Sequence, residues 1–216
     1  MNSDTAPDDE WGVVAATWDD STEVRAYAAA AFESLGSVLA RNGLELAGAR
    51  TCDFGCGTGL LTELLVAAGA RVDAVDSSPK MLEVLREKVV ERRLAGVRTA
   101  HSLDELDVLE GDAERGFDVI VCSSVLGFVP DYPATVVALT TRLRTGGLLV
   151  QWDWERHAGA DDALDADDQD AVGLTRQEIV EALAGAGLVD VMVDTAFELG
   201  VGDDATRPLI GVGRAA

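Results

Sequence analysis

The stretch from Arg50 to Leu61, RTCDFGCGTGLL, constrains this chain more than any other. A short β-type run ends at Asp53, glycines follow at Gly55, Gly57 and Gly59, and a helical pattern opens at Leu60, so the segment reads as strand, tight loop, helix. Glycine lacks Cβ and tolerates positive φ, which lets such a loop, here with Thr58 inside it, turn sharply and lie against a ligand at the helix N-terminus. A glycine-rich turn by itself also occurs as plain structure, and the next strand decides between the two. Arg71 to Val75 is followed by Asp76, Ser77, Ser78 and then Pro79, a residue suited to open a helix. Asp76 falls close to the usual interval of ~20 residues from the glycine loop, where an acid at a strand end accepts both hydroxyls of a ribose. Two charge-assisted hydrogen bonds of roughly 1.5 to 3 kcal/mol each make such a carboxylate a main determinant of affinity.

The ligand class follows from two departures from a dinucleotide fingerprint. Where that fingerprint has its third glycine, this chain has Leu60. The strand also ends in Asp53, whose carboxylate repels a pyrophosphate but suits an ammonium or sulfonium charge. Both departures favour S-adenosylmethionine over NAD.

The series DFGCGTG, VDAVDSSPKML, FDVIVCSSVLGFVPD and LRTGGLLVQWDW, in this order over about Arg50 to Trp154, resembles the class I S-adenosylmethionine-dependent methyltransferases. The resemblance implies a Rossmann-like seven-strand α/β sheet, mostly parallel, with helices on both faces. It implies the methionine part of the cofactor over the glycine loop, the ribose on Asp76 and the adenine beside the loop after strand three. Carried over by position, Asp53, Gly55, Gly57 and Asp76 are the firm cofactor residues, with Thr58, Gly59, Ser77 and Ser123 beside them. The family often has Gly-Asp-Ala after strand three, where this chain has His101, Ser102, Leu103 and Asp104. Adenine therefore falls to backbone groups around Ser102 and Leu103, or to Asp104 displaced by one residue. After strand four the family often has Leu-His-His, whereas here Leu126, Gly127 and Phe128 follow, so no proton-handling histidine is inherited there.

With 216 residues, one α/β domain is expected. A polar, acidic start over 1–10 precedes an N-terminal helical cover (11–48) and a Rossmann-like core (49–216) with a variable loop at 153–173. The formal net charge of −22 implies a broad negative potential that disfavours nucleic acid and anionic membrane as partners. The first ten residues lack the basic start and apolar run of a signal peptide, which makes the cytoplasm the expected compartment. Cys52, Cys56 and Cys122 form no Cys-x-x-Cys pair, so structural thiols are expected, with no metal site.

Strand and helix patterns alternate from Thr51 through FDVIVC, which means a parallel sheet whose strand C-termini share one edge. Asp20 with Glu23 suggests a capping box for a helix through about Arg41; Asp131 caps a helix read through Arg144; strand five is read as LLVQWDW; Thr175 and Glu178 cap the next helix. The final LVDVMVDTAFEL and RPLIGVGRA segments read as an antiparallel hairpin. Methyl transfer from a sulfonium is a direct displacement and needs alignment more than a triad. Trp18, Tyr27, Phe128, Trp152 and Trp154 are the expected acceptor wall, and His157 beside the two tryptophans is the candidate base. The acceptor is expected to be a small organic molecule, and the protein a monomer or homodimer. A catalytically silent S-adenosylmethionine or S-adenosylhomocysteine sensor is the alternative, with a nucleotide-dependent oxidoreductase behind it.

Overall fold

A computed structural model describes residues 9–110, 116–156, 173–200 and 205–216, with the side chains of 108–110 excepted. Seven strands, β1 (Arg50–Phe54), β2 (Arg71–Val75), β3 (Val97–Ala100), β4 (Phe117–Ser123), β5 (Leu143–Asp153), β6 (Leu188–Thr195) and β7 (Leu209–Ala215), form one sheet. Its order is β3-β2-β1-β4-β5-β7-β6, parallel from β3 to β5, with β7 inserted antiparallel to both β5 and β6. The chain runs outward from β1 through β2 and β3, then resumes beside β1 at β4. That reversal opens a crevice at the C-terminal ends of β1 and β4, the place where open α/β sheets bind ligands.

Alternation along the strands divides the core. Val119 and Val121 of β4, with Leu148, Val150 and Trp152 of β5, face α1 (Thr22–Asn42), α2 (Leu60–Ala67) and α3 (Pro79–Glu91). Ile120 and Cys122, with Leu149, face α4 (Leu103–Glu110), α5 (Tyr132–Thr140) and α6 (Arg176–Gly185). Apolar residues on both faces are what a covered parallel sheet requires. All three cysteines are buried and free. Among the described residues no helix is long and apolar enough to cross a membrane, and no cluster of three or more His, Cys, Asp or Glu is arranged to hold a metal.

Three boundaries differ from the sequence reading. The cap of α1 is Ser21, whose hydroxyl accepts from Val24 N–H and donates to Glu23, so the capping box expected from Asp20 and Glu23 does not form: N3 is Val24, which has no carboxyl to return to the cap. Helix α5 stops at Thr140, and Arg144 lies in β5. That strand begins at Leu143, paired with Phe117, because the two glycines are absorbed in a register irregularity against β4 instead of breaking the strand. Gly147 must be glycine here, since a Cβ would sit 2.7 Å from Phe117 O. The capping box of α6 at Thr175 and Glu178 forms as read.

Residues 11–20 fold as two short 3₁₀ segments that pack on α3 and α1. Asp19 anchors this strap: it accepts from the Thr58 hydroxyl at 2.6 Å and pairs with Lys88, whose ammonium is buried and also pairs with Glu63 at 3.1 Å. Burial of a lysine demands such compensation. The strap is thereby fixed to the glycine loop and to α3.

Candidate active site

The loop between β1 and α2 is shaped by what lies around it. Gly55 stands at φ +74°, and a Cβ there would come within 2.4 Å of Val125, so the loops after β1 and β4 touch at this point. Gly57, at φ +53°, has nothing within 4 Å of where a Cβ would be. One glycine permits close packing; the other leaves a clear cradle for a ligand. Gly59 caps α2 from behind the loop and does not line the cavity.

Asp76 joins the two strand ends. Its Oδ2 accepts from Gly57 N–H at 2.7 Å and its Oδ1 from Ser78 N–H at 2.9 Å. Each oxygen retains lone-pair capacity for a ribose hydroxyl. Burial pushes the Asp76 carboxyl above the ordinary range, and these two backbone hydrogen bonds work against the rise. Asp53 lies deeper. Its Oδ2 accepts from the Thr62 hydroxyl at 2.6 Å, while Oδ1 is buried without a hydrogen-bond partner among the described residues. Burial raises this carboxyl to about 7, the Thr62 hydroxyl opposing the rise and the charge of Asp76 adding to it. A buried acid with one oxygen short of a hydrogen-bond partner beside a cavity is the complement of a cationic ligand.

The cavity above these residues has a volume of about 1050 Å³, large enough for a cofactor and an acceptor together. It gathers Asp53, Gly55, Gly57, Thr58, Asp76, Ser77, Ser102, Leu103 and Ser123 of the sequence-predicted cofactor set. His101 and Asp104 line it as well. Ser102 is occupied in capping α4, its hydroxyl accepting from Glu105 N–H at 3.1 Å.

The cavity also has aromatic walls. Trp18, Tyr27, Phe128 and Trp154 line it. Tyr27 stacks at a tilt on Trp154, ring centroids 5.3 Å apart, and meets Phe197 edge-on at 5.3 Å. Trp152 does not belong to this wall. Its side chain is wholly buried in the core under α1, with the indole N–H donating to Ser34 Oγ at 2.8 Å. Trp154 escapes that fate because β5 ends at Asp153. His157 lies outside the described residues.

Several lining residues escaped the sequence reading. Trp11 on the strap contacts Trp18 and Phe128 edge-on, at 6.0 and 5.2 Å. Ser124, directly after β4, stands at φ +56°, a strained conformation for a residue with Cβ, and lines the cavity beside Tyr27. Leu199 and Thr206, backbone-paired beyond β6, complete the cover. The clearest signal missed is Asp153, the middle residue of WDW. It is buried and accepts from Gly127 N–H at 3.0 Å and from Gln151 Nε2 at 3.0 Å, while Tyr132 OH donates to Gln151 Oε1 at 2.9 Å. Burial raises Asp153 to about 7, with the Gly127 and Gln151 hydrogen bonds opposing. This network fixes the turn that carries Phe128, where the resembled family often has histidines.

A family model described as a methyltransferase domain matches residues 52–149. The ubiquinone biosynthesis O-methyltransferase of Xanthomonas euvesicatoria pv. vesicatoria (strain 85-10) is 38% identical over 106 residues, 49% of this chain and 43% of that protein, so the match spans less than half of that relative. The fold aligns with the DhpI–SAM–HEP complex at a TM-score of 0.66, with 20% identity and 94% of each chain covered. It also aligns with the N-methyltransferase NodS of Bradyrhizobium japonicum WM9 bound to S-adenosylhomocysteine, at a TM-score of 0.63 and 19% identity, covering 97% of this chain and 93% of that one.

Proposed function

We propose that this chain, whose residues 52–149 match a methyltransferase-domain model and whose fold aligns with methyltransferases, is a class I S-adenosylmethionine-dependent methyltransferase that transfers the methyl group to a small, flat or apolar organic acceptor. The observation that carries the reading is one cavity lined both by carboxylates and an open glycine cradle and by aromatic rings. The residues fit the cofactor. Asp76 holds the ribose through the free lone pairs of its two oxygens, the Gly57 cradle admits the methionine part, and the Asp53 carboxyl, lacking a partner at Oδ1 among the described residues, answers the positive charge. Backbone groups at Ser102 and Leu103 border the place for the adenine.

Bound there, the cofactor supplies an electrophilic methyl on a sulfonium. The chain's own work is then to align and to exclude water. The strap, held by Asp19 on Thr58 and Lys88, closes the cofactor side. Tyr27, Trp154 and Phe128 offer aromatic faces that hold a flat acceptor and favour a neighbouring cation by about 0.5 to 2 kcal/mol. Holding two reactants in line accounts for roughly 7 to 11 kcal/mol of a barrier. Within this proposal His157, three residues beyond Trp154, is the base for an acceptor whose proton must leave.

Titration calorimetry with S-adenosylhomocysteine tests the cofactor half. One site per chain is expected, with Asp76→Ala losing roughly 3 kcal/mol as two ribose hydroxyls lose an ionic acceptor. Equal affinity in wild type and variant removes Asp76 from the site, and no binding by wild type removes the reading.

A further inference from the structure

Among the described residues, Asp19 gives the strap polar ties to the fold through the Thr58 hydroxyl, Lys88 and, at its backbone carbonyl, Arg25 of α1. Gly12 N–H donates at 2.8 Å to Asp9 Oδ1, just before the strap. On the acceptor side its contact is aromatic, Trp11 edge-on against Phe128 at an interplanar angle of 89°. Phe128 in turn sits on a turn fixed from below by the Asp153 carboxyl through Gly127 N–H. The strap and the turn after β4, both of which line the cavity, meet in this ring pair. Trp11 and Phe128 are each 42% exposed, so the pair has one side in solvent and one side on the cavity. Next to Trp11 on the strap, Val13 and Val14 are exposed apolar residues, Val13 at 81%.

We propose that Trp11 is the specificity-determining residue of the acceptor site: closed against Phe128, its indole ends the slot, admitting compact flat acceptors and excluding those that carry a long alkyl extension. The inference rests on the methyltransferase reading and deepens it. Tyr27 and Trp154 form the fixed face of the slot, since Tyr27 is buried on α1 and Trp154 packs against it. Trp11 forms the face that sets its length, because it belongs to a short strap outside the core. Replacing it by alanine opens the slot toward solvent beside the exposed Val13 and Val14. An acceptor with an extension then gains a path and an apolar lining. A compact acceptor loses one wall.

The test uses the S-adenosylhomocysteine complex of the full chain and a series of para-alkylphenols from methyl to octyl, with binding read by calorimetry. In wild type, affinity is expected to fall by about tenfold or more between the short and long members, the discrimination a shaped apolar pocket provides. In Trp11→Ala the order reverses: long members bind about tenfold more tightly than to wild type, and short ones more weakly. Trp11→Phe, which retains a ring of smaller size, moves the cut-off by less and covers the case of a strap loosened by alanine. Asp19→Asn loosens the strap without removing the indole and is expected to speed release of S-adenosylhomocysteine while leaving the length preference as in wild type. An unchanged length preference in Trp11→Ala overturns the inference, as does a wild type that binds no member or binds long and short members alike. Failure of wild type to bind S-adenosylhomocysteine overturns the methyltransferase reading instead.

Discussion

The Asp53 carboxyl should make cofactor affinity depend on pH, in a direction and range set by its surroundings. Burial holds it at about 7 in the unliganded protein, against an ordinary value of 3.8. A cationic ligand brought close favours the ionised form and pulls the value back down. Between about pH 4 and 7, binding must therefore expel a proton from Asp53, and affinity rises with pH across that range before levelling off. The upper limit is set by the three-unit interval, about a thousandfold or about 4 kcal/mol. Incomplete return to the ordinary value makes roughly ten- to a hundredfold between about pH 5 and 7.5 the expected gain. Calorimetry with S-adenosylmethionine in buffers of different ionisation enthalpy measures both the affinity and the protons released. Asp76 titrates upward as well, so Asp53→Asn is the control: it keeps the shape beside Thr62, removes the titrating group and leaves only the contribution of Asp76. Affinity independent of pH across this range, with no proton released, refutes the reasoning. So does an Asp53→Asn variant that retains the whole slope.

Two buried acids, Asp53 and Asp153, contribute a pH dependence to the stability of the free protein. Asp53 and Asp153 both have folded values raised to about 7, so the fold holds protons that the unfolded chain releases, and stability falls as pH rises from about 4 to about 7 and is flat above. In thermal melts Asp153→Asn should flatten this dependence, whereas Asp153→Leu, which strands Gly127 N–H and Gln151, should cost about 2 kcal/mol or more at every pH. His157→Ala should lower turnover about a hundredfold with S-adenosylhomocysteine affinity intact if His157 takes the acceptor proton; unchanged turnover removes it from the chemistry.

What the sequence made legible was local. The glycine loop and the capping box at Thr175 each depend on residues a few positions apart, Asp76 lies one strand further on and the β6–β7 pair is formed by two alternating segments near the end of the chain, and each forms. The parallel order follows from strand–helix alternation for the same reason. What stayed hidden depends on distant partners. Trp152 is taken into the core by Ser34, 118 residues away along the chain, and no pattern around Trp152 announces that bond. Period-two alternation would place Trp152 and Trp154 on the same face, but the strand ends between them, and the two rings part. The strap is two short 3₁₀ turns without amphipathic periodicity, so Trp11 carried no signal, and its anchor at Asp19 reaches Thr58 and Lys88 across the fold. Glycines at 146 and 147 resemble a turn and are instead an irregularity inside β5.

The measurement that meets the central claim most directly is transfer of a labelled methyl group from S-adenosylmethionine to a panel of phenols, aromatic amines, aliphatic amines and sugars, followed by mass spectrometry of the products. A cavity lined by both carboxylates and aromatic rings predicts singly methylated product from flat aromatic acceptors, with S-adenosylhomocysteine formed in equal amount and the yield abolished by Asp76→Ala. Tight cofactor binding with no transfer to any acceptor, or transfer confined to aliphatic amines and sugars, would contradict it.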